Sequence, residues 1–195
     1  MTRPEEPPRQ DPSSRSEPPR RILPAAIVHQ EGILGVLALV GLGLRDGTPL
    51  PGLLPRGALA PSLLAGLIGG ALAAAGLWLL DRVPAIRELE RWQREMVRGW
   101  DLSEVGGIAL LSGLAEEGLV RALFQPMVGL VPAALIFAVL HLVPDRRAWV
   151  WPVLAFALGI GLGILFERWG YPAAATAHAV INLTGFLRLR STSSS

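Results

Sequence analysis

One stretch of the chain, residues 58–80, most limits the folds that the protein can adopt, because it is apolar throughout and holds no charged side chain. A helix of about 20 residues, rising 1.5 Å per residue, covers the hydrocarbon core of a bilayer. Within that core the backbone polar groups must be satisfied inside the segment itself, which a helix achieves. This stretch therefore predicts a transmembrane helix and a membrane protein.

Further apolar stretches indicate that the chain crosses the membrane several times. Apolar residues make up 51% of the sequence and charged residues only 17%, which is unusual for a soluble domain. We predict an all-α polytopic transmembrane helix bundle in one domain, residues 22–190, with a motif-bearing core at 105–187. Residues 1–21, rich in Pro, Arg, Glu and Ser, are expected to be a disordered tail, and residues 191–195 a short C-terminal tail. The predicted spans, about six, are residues 22–44, 58–80, 105–125, 130–144, 149–166 and 171–187.

Residues 81–100 have a different pattern from the spans on either side. Apolar residues recur there every three or four positions, with charged residues between them. This periodicity predicts one amphipathic helix that lies on the membrane surface. The apolar positions are Ile86, Leu89, Trp92, Met96 and Trp100.

The composition also limits the partners and the chemistry. The sequence contains no cysteine, which excludes disulfides and thiolate chemistry and leaves His, Asp, Glu and Asn as possible metal ligands. All 18 basic residues are arginines, and 17 of them lie outside the predicted spans instead of clustering with aromatic residues, so no nucleic-acid partner is expected. With six crossings, 14 arginines fall on one side and three on the other. The positive-inside rule then predicts a multi-pass protein of the cell membrane with both termini in the cytoplasm.

Three charged residues lie inside the third predicted span, where each charge costs about 2.5–3.5 kcal/mol on insertion scales. Glu117 and Arg121 are four positions apart and share one helix face, where they can form an ion pair. Glu116 has Leu119 and Val120 three and four positions beyond it, so its own helix offers it no partner. We therefore expect Glu116 to be the acid that is free for chemistry.

The fourth and sixth predicted spans carry further polar residues at compatible depth. Phe137 and His141 are four positions apart, as are His178 and Asn182, so each pair presents one face to a neighbouring helix. Imidazole is a general base or metal ligand, an asparagine amide can donate to an oxyanion, and a desolvated carboxylate can take a proton from water. Together with Glu116, these side chains predict a site that activates water for hydrolysis.

The first span contains polar residues to which we assign no role. His29, Gln30 and Glu31 lie two to three turns from the start of that span. Side chains there can reach the membrane interface, so we interpret these residues as a solvated helix end.

Three motifs, each on its own predicted span, resemble in order the signatures of the CPBP intramembrane proteases: Glu116-Glu117-x-x-x-Arg121, Phe137-x-x-x-His141 and His178-x-x-x-Asn182. This family, also called Abi, is the CAAX prenyl protease and bacteriocin-processing group and includes the Rce1-like enzymes. The resemblance covers about residues 105–187. It implies an intramembrane endopeptidase that hydrolyses peptide bonds of membrane-associated substrates.

The resemblance also implies a role for each motif residue. Glu116 is expected to act as the base that activates water, and His141 to assist it. His178 and Asn182 are expected to stabilise the oxyanion. The supporting residues are the other motif members, Glu117, Arg121 and Phe137.

The resemblance is less specific about cofactors and substrates. The family is metalloprotease-like, which implies zinc or another divalent metal with His141 and His178 as candidate ligands. The sequence has no H-E-x-x-H helix, so such a site has to be assembled from separate helices. The implied partners are the lipid bilayer and a membrane protein or peptide substrate; self-immunity to bacteriocins, peptide maturation and regulated proteolysis all remain open.

Two other classes of function fit some of these residues. Acids and histidines at mid-depth also form the relays of proton- or cation-coupled transporters, although such proteins usually show repeated halves, and we find no repeat here. A non-catalytic membrane scaffold could hold the same residues as interhelical hydrogen-bond contacts. The scaffold hypothesis predicts that apolar replacements of Glu116 and His178 are tolerated.

Overall fold

The structure, a computed structural model, describes residues 22–191, so the predicted tail at 1–21 and nearly all of the C-terminal tail lie outside the described residues. The predicted all-α fold is confirmed, since within 22–191 no β-strand is formed and the only strand-like pairing is an isolated bridge between Pro55 and Gly170. A π-helical segment, Gly118–Phe124, connects α4 to α5. The α-helices are α1 (Pro24–Asp46), α2 (Leu59–Leu79), α3 (Pro84–Val97), α4 (Leu102–Glu117), α5 (Gln125–Val128), α6 (Leu130–Leu140), α7 (Trp151–Trp169) and α8 (Tyr171–Ser191).

Within residues 22–191, three helical stretches are long and apolar enough to cross a membrane: Pro24–Asp46, Leu59–Arg82 and Arg146–Trp169. They correspond to the first, second and fifth predicted spans, so a membrane helix bundle fits the fold, while the number of six stays a prediction. The fourth predicted span, 130–144, is shorter than expected because α6 ends at Leu140. His141 already has non-helical backbone angles, and the residue before Pro144 is sterically disfavoured in a helix.

The amphipathic helix predicted between the second and third spans is present as α3, but protein covers its apolar face. Ile86, Leu89 and Trp92 are buried against Ala148 and Val150, which precede α7. The chain between α6 and α7 folds back over α3, which sequence periodicity alone does not reveal. The prediction that this face lies on the membrane is not supported by these contacts.

Close helix packing places α8 between α2 and α4. A β-carbon at Gly66 or Gly70 of α2 would lie 2.5 or 2.7 Å from the carbonyl oxygens of Ala173 and Ala177. On the other side, a β-carbon at Gly113 of α4 would lie 2.7 Å from another α8 carbonyl oxygen. Such separations are too short for any side chain, so glycine allows both contacts. This packing fixes the face of α8 that carries the third motif against α4.

Candidate active site

The start of α4 is fixed by a reciprocal capping box, the D-x-x-E arrangement of Asp101 and Glu104. The Asp101 carboxylate accepts a hydrogen bond from the Glu104 amide at 2.8 Å, and the Glu104 carboxylate accepts one from the Asp101 amide at 2.7 Å. Hydrogen bonds from the Ser103 hydroxyl and the Glu104 amide hold the pKa of Asp101 below its usual range. The cap therefore fixes the start of α4, the helix that holds Glu116 and Glu117 inside the bundle.

Glu117 is fully buried and joins two predicted site residues. Arg121 donates from Nε to Glu117 Oε2 at 3.1 Å, and both side chains are inaccessible to solvent. His178 Nδ1 lies 2.9 Å from the other carboxylate oxygen, Oε1. The predicted ion pair is confirmed. Glu117 also orients the His178 ring. Because Nδ1 bonds to the Glu117 carboxylate, Nε2 is the ring nitrogen that remains available to a ligand.

The carboxylate of Glu116 has an oxygen without a hydrogen-bond partner. It is 7% exposed, and its buried Oε2 has no hydrogen-bond partner among the described residues. His141 Nε2 lies 3.8 Å from that oxygen, while His141 Nδ1 is bonded to the Phe137 carbonyl at 2.8 Å. A gap of 3.8 Å is too long for a direct hydrogen bond, and a contact at such a distance is often bridged by water.

Phe137 packs against the three other ring or guanidinium groups of the motifs. Its ring centroid lies 4.5 Å from that of His141 and 5.5 Å from that of His178. The Arg121 guanidinium lies over the same ring, 5.2 Å from its centroid. The predicted supporting residue thus holds both histidines in place by aromatic contact.

Asn182 is held by a partner that sequence analysis missed. Its amide nitrogen donates to Ser112 Oγ at 2.9 Å, and the Ser112 hydroxyl donates to the carbonyl of Ile108 at 2.8 Å. One amide hydrogen is used in this way, which leaves the second for an oxyanion. Ser112 lies one turn before Glu116 on the same helix face, a spacing that was visible in the sequence.

The structure brings the four predicted catalytic side chains to one cavity of about 1030 Å³. Glu116, His141, His178 and Asn182 all line it, although they come from three different helical segments. The cavity continues past them to the apolar face of α3. The predicted convergence of the polar groups is therefore found, while their catalytic roles stay predictions.

A fifth polar side chain at this cavity, Glu31 of α1, was interpreted wrongly from the sequence as part of a solvated helix end. Glu31 is only 3% exposed and lines the same cavity as Glu116. The reason is helix packing: α1 runs along α4, and a β-carbon at Gly35, one turn beyond Glu31, would lie 3.7 Å from Ala115.

A second polar connection links the first motif to α7. Arg121 Nη1 donates to Gln125 Oε1 at 3.2 Å. Gln125 in turn donates to the Gly163 carbonyl at 3.1 Å and to Glu167 Oε1 at 3.0 Å. Sequence analysis missed Gln125, although it follows Arg121 by four residues on the same helical stretch.

The π-helical segment begins directly after the paired acids. π-Helical turns occur frequently at functional sites, because the wider turn changes the direction of the side chains that follow. Arg45 at the end of α1 donates to two carbonyl oxygens of this segment, those of Ala122 at 3.0 Å and Leu123 at 2.9 Å. These bonds satisfy acceptors that the irregular turn leaves open and attach α1 to the motif helix.

The donor atoms at the site bear on whether it could hold a metal. Among residues 22–191 no group of three or more His, Cys, Asp or Glu side chains is arranged to hold a metal ion. The donor types suit zinc, because His141 and His178 each use Nδ1 within the protein and keep Nε2 for a ligand. A metal at this site stays a prediction.

Comparison with known proteins gives a family match for part of the chain. Residues 98–184 match the family model described as type II CAAX prenyl endopeptidase Rce1-like, and this range contains all three motifs. This part of the chain is similar to the Rce1-like endopeptidases. The resemblance to the CPBP proteases is thereby confirmed, and it supports an intramembrane endopeptidase, a hydrolase that works in a membrane on a protein substrate. No similar curated protein and no similar solved structure was found.

Proposed function

We propose that the protein is a glutamate-dependent intramembrane endopeptidase in which Glu116 removes a proton from water. The observation that carries this proposal is the buried Glu116 Oε2, which has no hydrogen-bond partner among the described residues and faces His141 Nε2 across 3.8 Å at the cavity. A water held between these two atoms is in contact with a base and with an imidazole that can orient it. General-base assistance of this kind typically contributes 10²–10⁴-fold to a rate.

The reaction balances with these side chains alone. The water gives one proton to Glu116, and its oxygen bonds to the carbonyl carbon of the scissile peptide. The carbonyl oxygen becomes an oxyanion that accepts hydrogen bonds from Asn182 and His178. Breakage of the C–N bond then transfers the proton from Glu116 to the leaving amine. When both ring nitrogens of His178 carry protons, the Glu117 carboxylate compensates the charge.

The cavity supports a membrane-associated peptide as substrate. Besides the polar groups, its lining is mostly apolar and includes Trp92 of α3, Trp100 just after α3 and Trp151 at the start of α7. The matched family is described as a CAAX prenyl endopeptidase. For this protein we propose a broader class of substrate, namely peptides that are held in the bilayer. The distribution of arginines supports a multi-pass arrangement with both termini in the cytoplasm.

The proposal is tested with purified protein in nanodiscs and a library of membrane peptides, with products identified by mass spectrometry. We expect the wild type to cleave and Glu116→Gln to lose at least about 100-fold of the rate, since a general base contributes 10²–10⁴-fold. Glu88→Gln, which removes an exposed acid paired with Arg91, is the matched control and should retain the wild-type rate. Cleavage that persists in Glu116→Gln contradicts the assignment of the base.

Two further measurements separate the alternatives. Loss of cleavage on chelation that zinc restores establishes a metal, and His141→Ala and His178→Ala then identify the ligands. Absence of cleavage by the wild type, together with an ion flux in liposomes that depends on Glu116, supports a transporter instead.

A further inference from the structure

Gln125 lies at one end of a line of buried hydrogen bonds that ends at His178. Its Oε1 accepts a hydrogen bond from Arg121 Nη1 at 3.2 Å. Arg121 Nε donates to Glu117 Oε2 at 3.1 Å, and Glu117 Oε1 lies 2.9 Å from His178 Nδ1. Each of these residues is at most 4% exposed. Gln125 belongs to none of the three sequence motifs, so the motifs assign it no role.

The position of the Arg121 guanidinium depends on Gln125. This rigid group carries donors on Nε, Nη1 and Nη2. Glu117 takes the first and Gln125 the second, while the buried Nη2 has no hydrogen-bond partner among the described residues. Two acceptors at different nitrogens fix the guanidinium, whereas a single acceptor leaves it free to swing about that contact over the Phe137 ring. Loss of the Gln125 acceptor would therefore release the outer end of the group.

The side-chain amide of Gln125 is itself held in one orientation by α7. Its Nε2 donates to the Gly163 carbonyl at 3.1 Å and to Glu167 Oε1 at 3.0 Å, which uses both amide hydrogens. The amide oxygen then faces Arg121, since a flipped amide would turn its N–H groups against the guanidinium. The backbone N–H of Gln125 also closes the π-helical turn on the Val120 carbonyl. Gln125 therefore presents its acceptor at a fixed place.

The Glu117 carboxylate connects the guanidinium to the imidazole of His178. An ionised carboxylate only accepts hydrogen bonds, so His178 donates from Nδ1 and keeps Nε2 for the substrate. His178 lines the cavity, whereas Gln125, Arg121 and Glu117 are not among the described residues that line it. A change at Gln125 should therefore reach the reaction through His178 and leave the binding of substrate unchanged.

We propose that Gln125 is a positioning residue for His178, a role that rests on the proposed function, in which His178 stabilises the oxyanion. Gln125 fixes the guanidinium, the guanidinium fixes the Glu117 carboxylate, and this carboxylate sets the direction of the His178 ring. A displacement of a catalytic group by about 1 Å can cost about 100-fold in rate. Gln125 thus acts on the chemical step without touching the substrate.

Two reciprocal substitutions separate this role from simple attachment between helices. Gln125→Glu keeps an acceptor for Arg121 but cannot donate to α7. Gln125→Lys keeps donors for Gly163 and Glu167 but places a positive charge against Arg121. If Gln125 served only to attach its helix to α7, the lysine variant would be the more active of the two. The positioning role predicts the opposite order.

The rates are measured by steady-state kinetics on the full chain in nanodiscs, with a fluorogenic peptide that copies the cleavage site found in the peptide library. We expect Gln125→Lys to lose about 10- to 100-fold in kcat with KM within about twofold of the wild type, because the cavity lining is unchanged. Gln125→Glu should stay within about threefold in kcat, because it keeps the acceptor for Arg121. Ser62→Ala is the control for a lost interhelical hydrogen bond, since the buried Ser62 hydroxyl donates to the Trp169 carbonyl at 2.9 Å, and it should keep the wild-type rate.

Nuclear magnetic resonance of protein labelled with ¹⁵N at histidine reports on the His178 ring directly. The sequence has three histidines, and an Nδ1 proton that is donated to a carboxylate resonates far downfield. The loss of this resonance in His178→Asn assigns it. We expect the resonance to be unchanged in Ser62→Ala and Gln125→Glu. It should be shifted or broadened in Gln125→Lys, because the Glu117 carboxylate has lost its fixed partner.

The outcomes separate this inference from the proposed function. A lysine variant at least as active as the glutamate variant overturns the role of Gln125, as does an unchanged His178 resonance in Gln125→Lys. Thermal unfolding shows whether each variant folds; where the lysine variant does not, a loss of kcat beyond about threefold in Gln125→Glu overturns the proposal. Failure of the proposed function is seen instead as cleavage that persists in Glu116→Gln, and the His178 resonance then still decides whether Gln125 positions the ring.

Discussion

Replacement of Arg121 by methionine isolates the buried ion pair beneath the candidate active site. Both members of the pair are fully inaccessible, and Arg121 also donates to Gln125 at 3.2 Å and lies 5.2 Å from the centre of the Phe137 ring. Removal of one partner leaves Glu117 buried with only His178 as its hydrogen-bond partner. Breaking a buried pair in this way typically costs 3–5 kcal/mol, so we expect the free energy of unfolding to fall by about that amount.

A double-mutant cycle distinguishes the ion pair from general packing. Since Glu117→Gln removes the uncompensated charge, the double variant with Arg121→Met should be less destabilised than the sum of the two single variants, by about 1–3 kcal/mol. The matched control is the exposed pair of Arg91 and Glu88, 2.5 Å apart, where the same substitutions should change stability by less than about 1 kcal/mol.

The assay is reversible unfolding in mixed micelles with increasing SDS, followed by tryptophan fluorescence. Strict additivity of the Arg121 and Glu117 variants, or a cost for Arg121→Met no larger than that at the exposed pair, would refute the reasoning that the buried charge of Glu117 depends on its partner.

Three further predictions concern the packing, the oxyanion donor and the helix cap. Phe137→Ala should lower the free energy of unfolding by about 3–5 kcal/mol and reduce cleavage, because both histidines lose the ring between them; chemical unfolding and product formation measure the two effects, and an unchanged rate would contradict the packing role. Ser112→Ala should lower kcat more than it raises KM, because Asn182 loses the acceptor that orients its amide; steady-state kinetics measure this, and an effect confined to KM would argue against it. Asp101, whose pKa is lowered in the folded protein by hydrogen bonds from Ser103 and Glu104, contributes stability that is present at neutral pH and is lost as the pH falls through that lowered pKa; Asp101→Ala should abolish this acid-dependent part of the melting temperature, and an identical pH dependence in wild type and variant would contradict it.

Contacts within one helix could be predicted from the sequence. Glu117 and Arg121 pair across one turn as their spacing requires, and the D-x-x-E spacing of Asp101 and Glu104 forms a capping box at the start of α4. Ser112 was also accessible to this reasoning, because it precedes Glu116 by one turn. Such contacts follow from the helical repeat alone.

For contacts between helices, the sequence predicts only how far along each helix, and so how deep in the membrane, a side chain lies. Glu31 lies seven residues beyond Pro24, the first residue of α1, at about 10 Å along the helix axis and so within the predicted span. The direction in which the Glu31 side chain faces depends on how α1 packs against α4. Likewise, the burial of the apolar face of α3 depends on the loop after α6. A periodic sequence pattern encodes neither of these packings.

The most direct test of the account is the rate of peptide-bond cleavage by wild type and Glu116→Gln on the same membrane peptide, in the same nanodiscs and at the same degree of folding. The account predicts cleavage by the wild type and a rate at least about 100-fold lower in the variant, because the buried carboxylate is the base for water. Equal rates in the two proteins would contradict it.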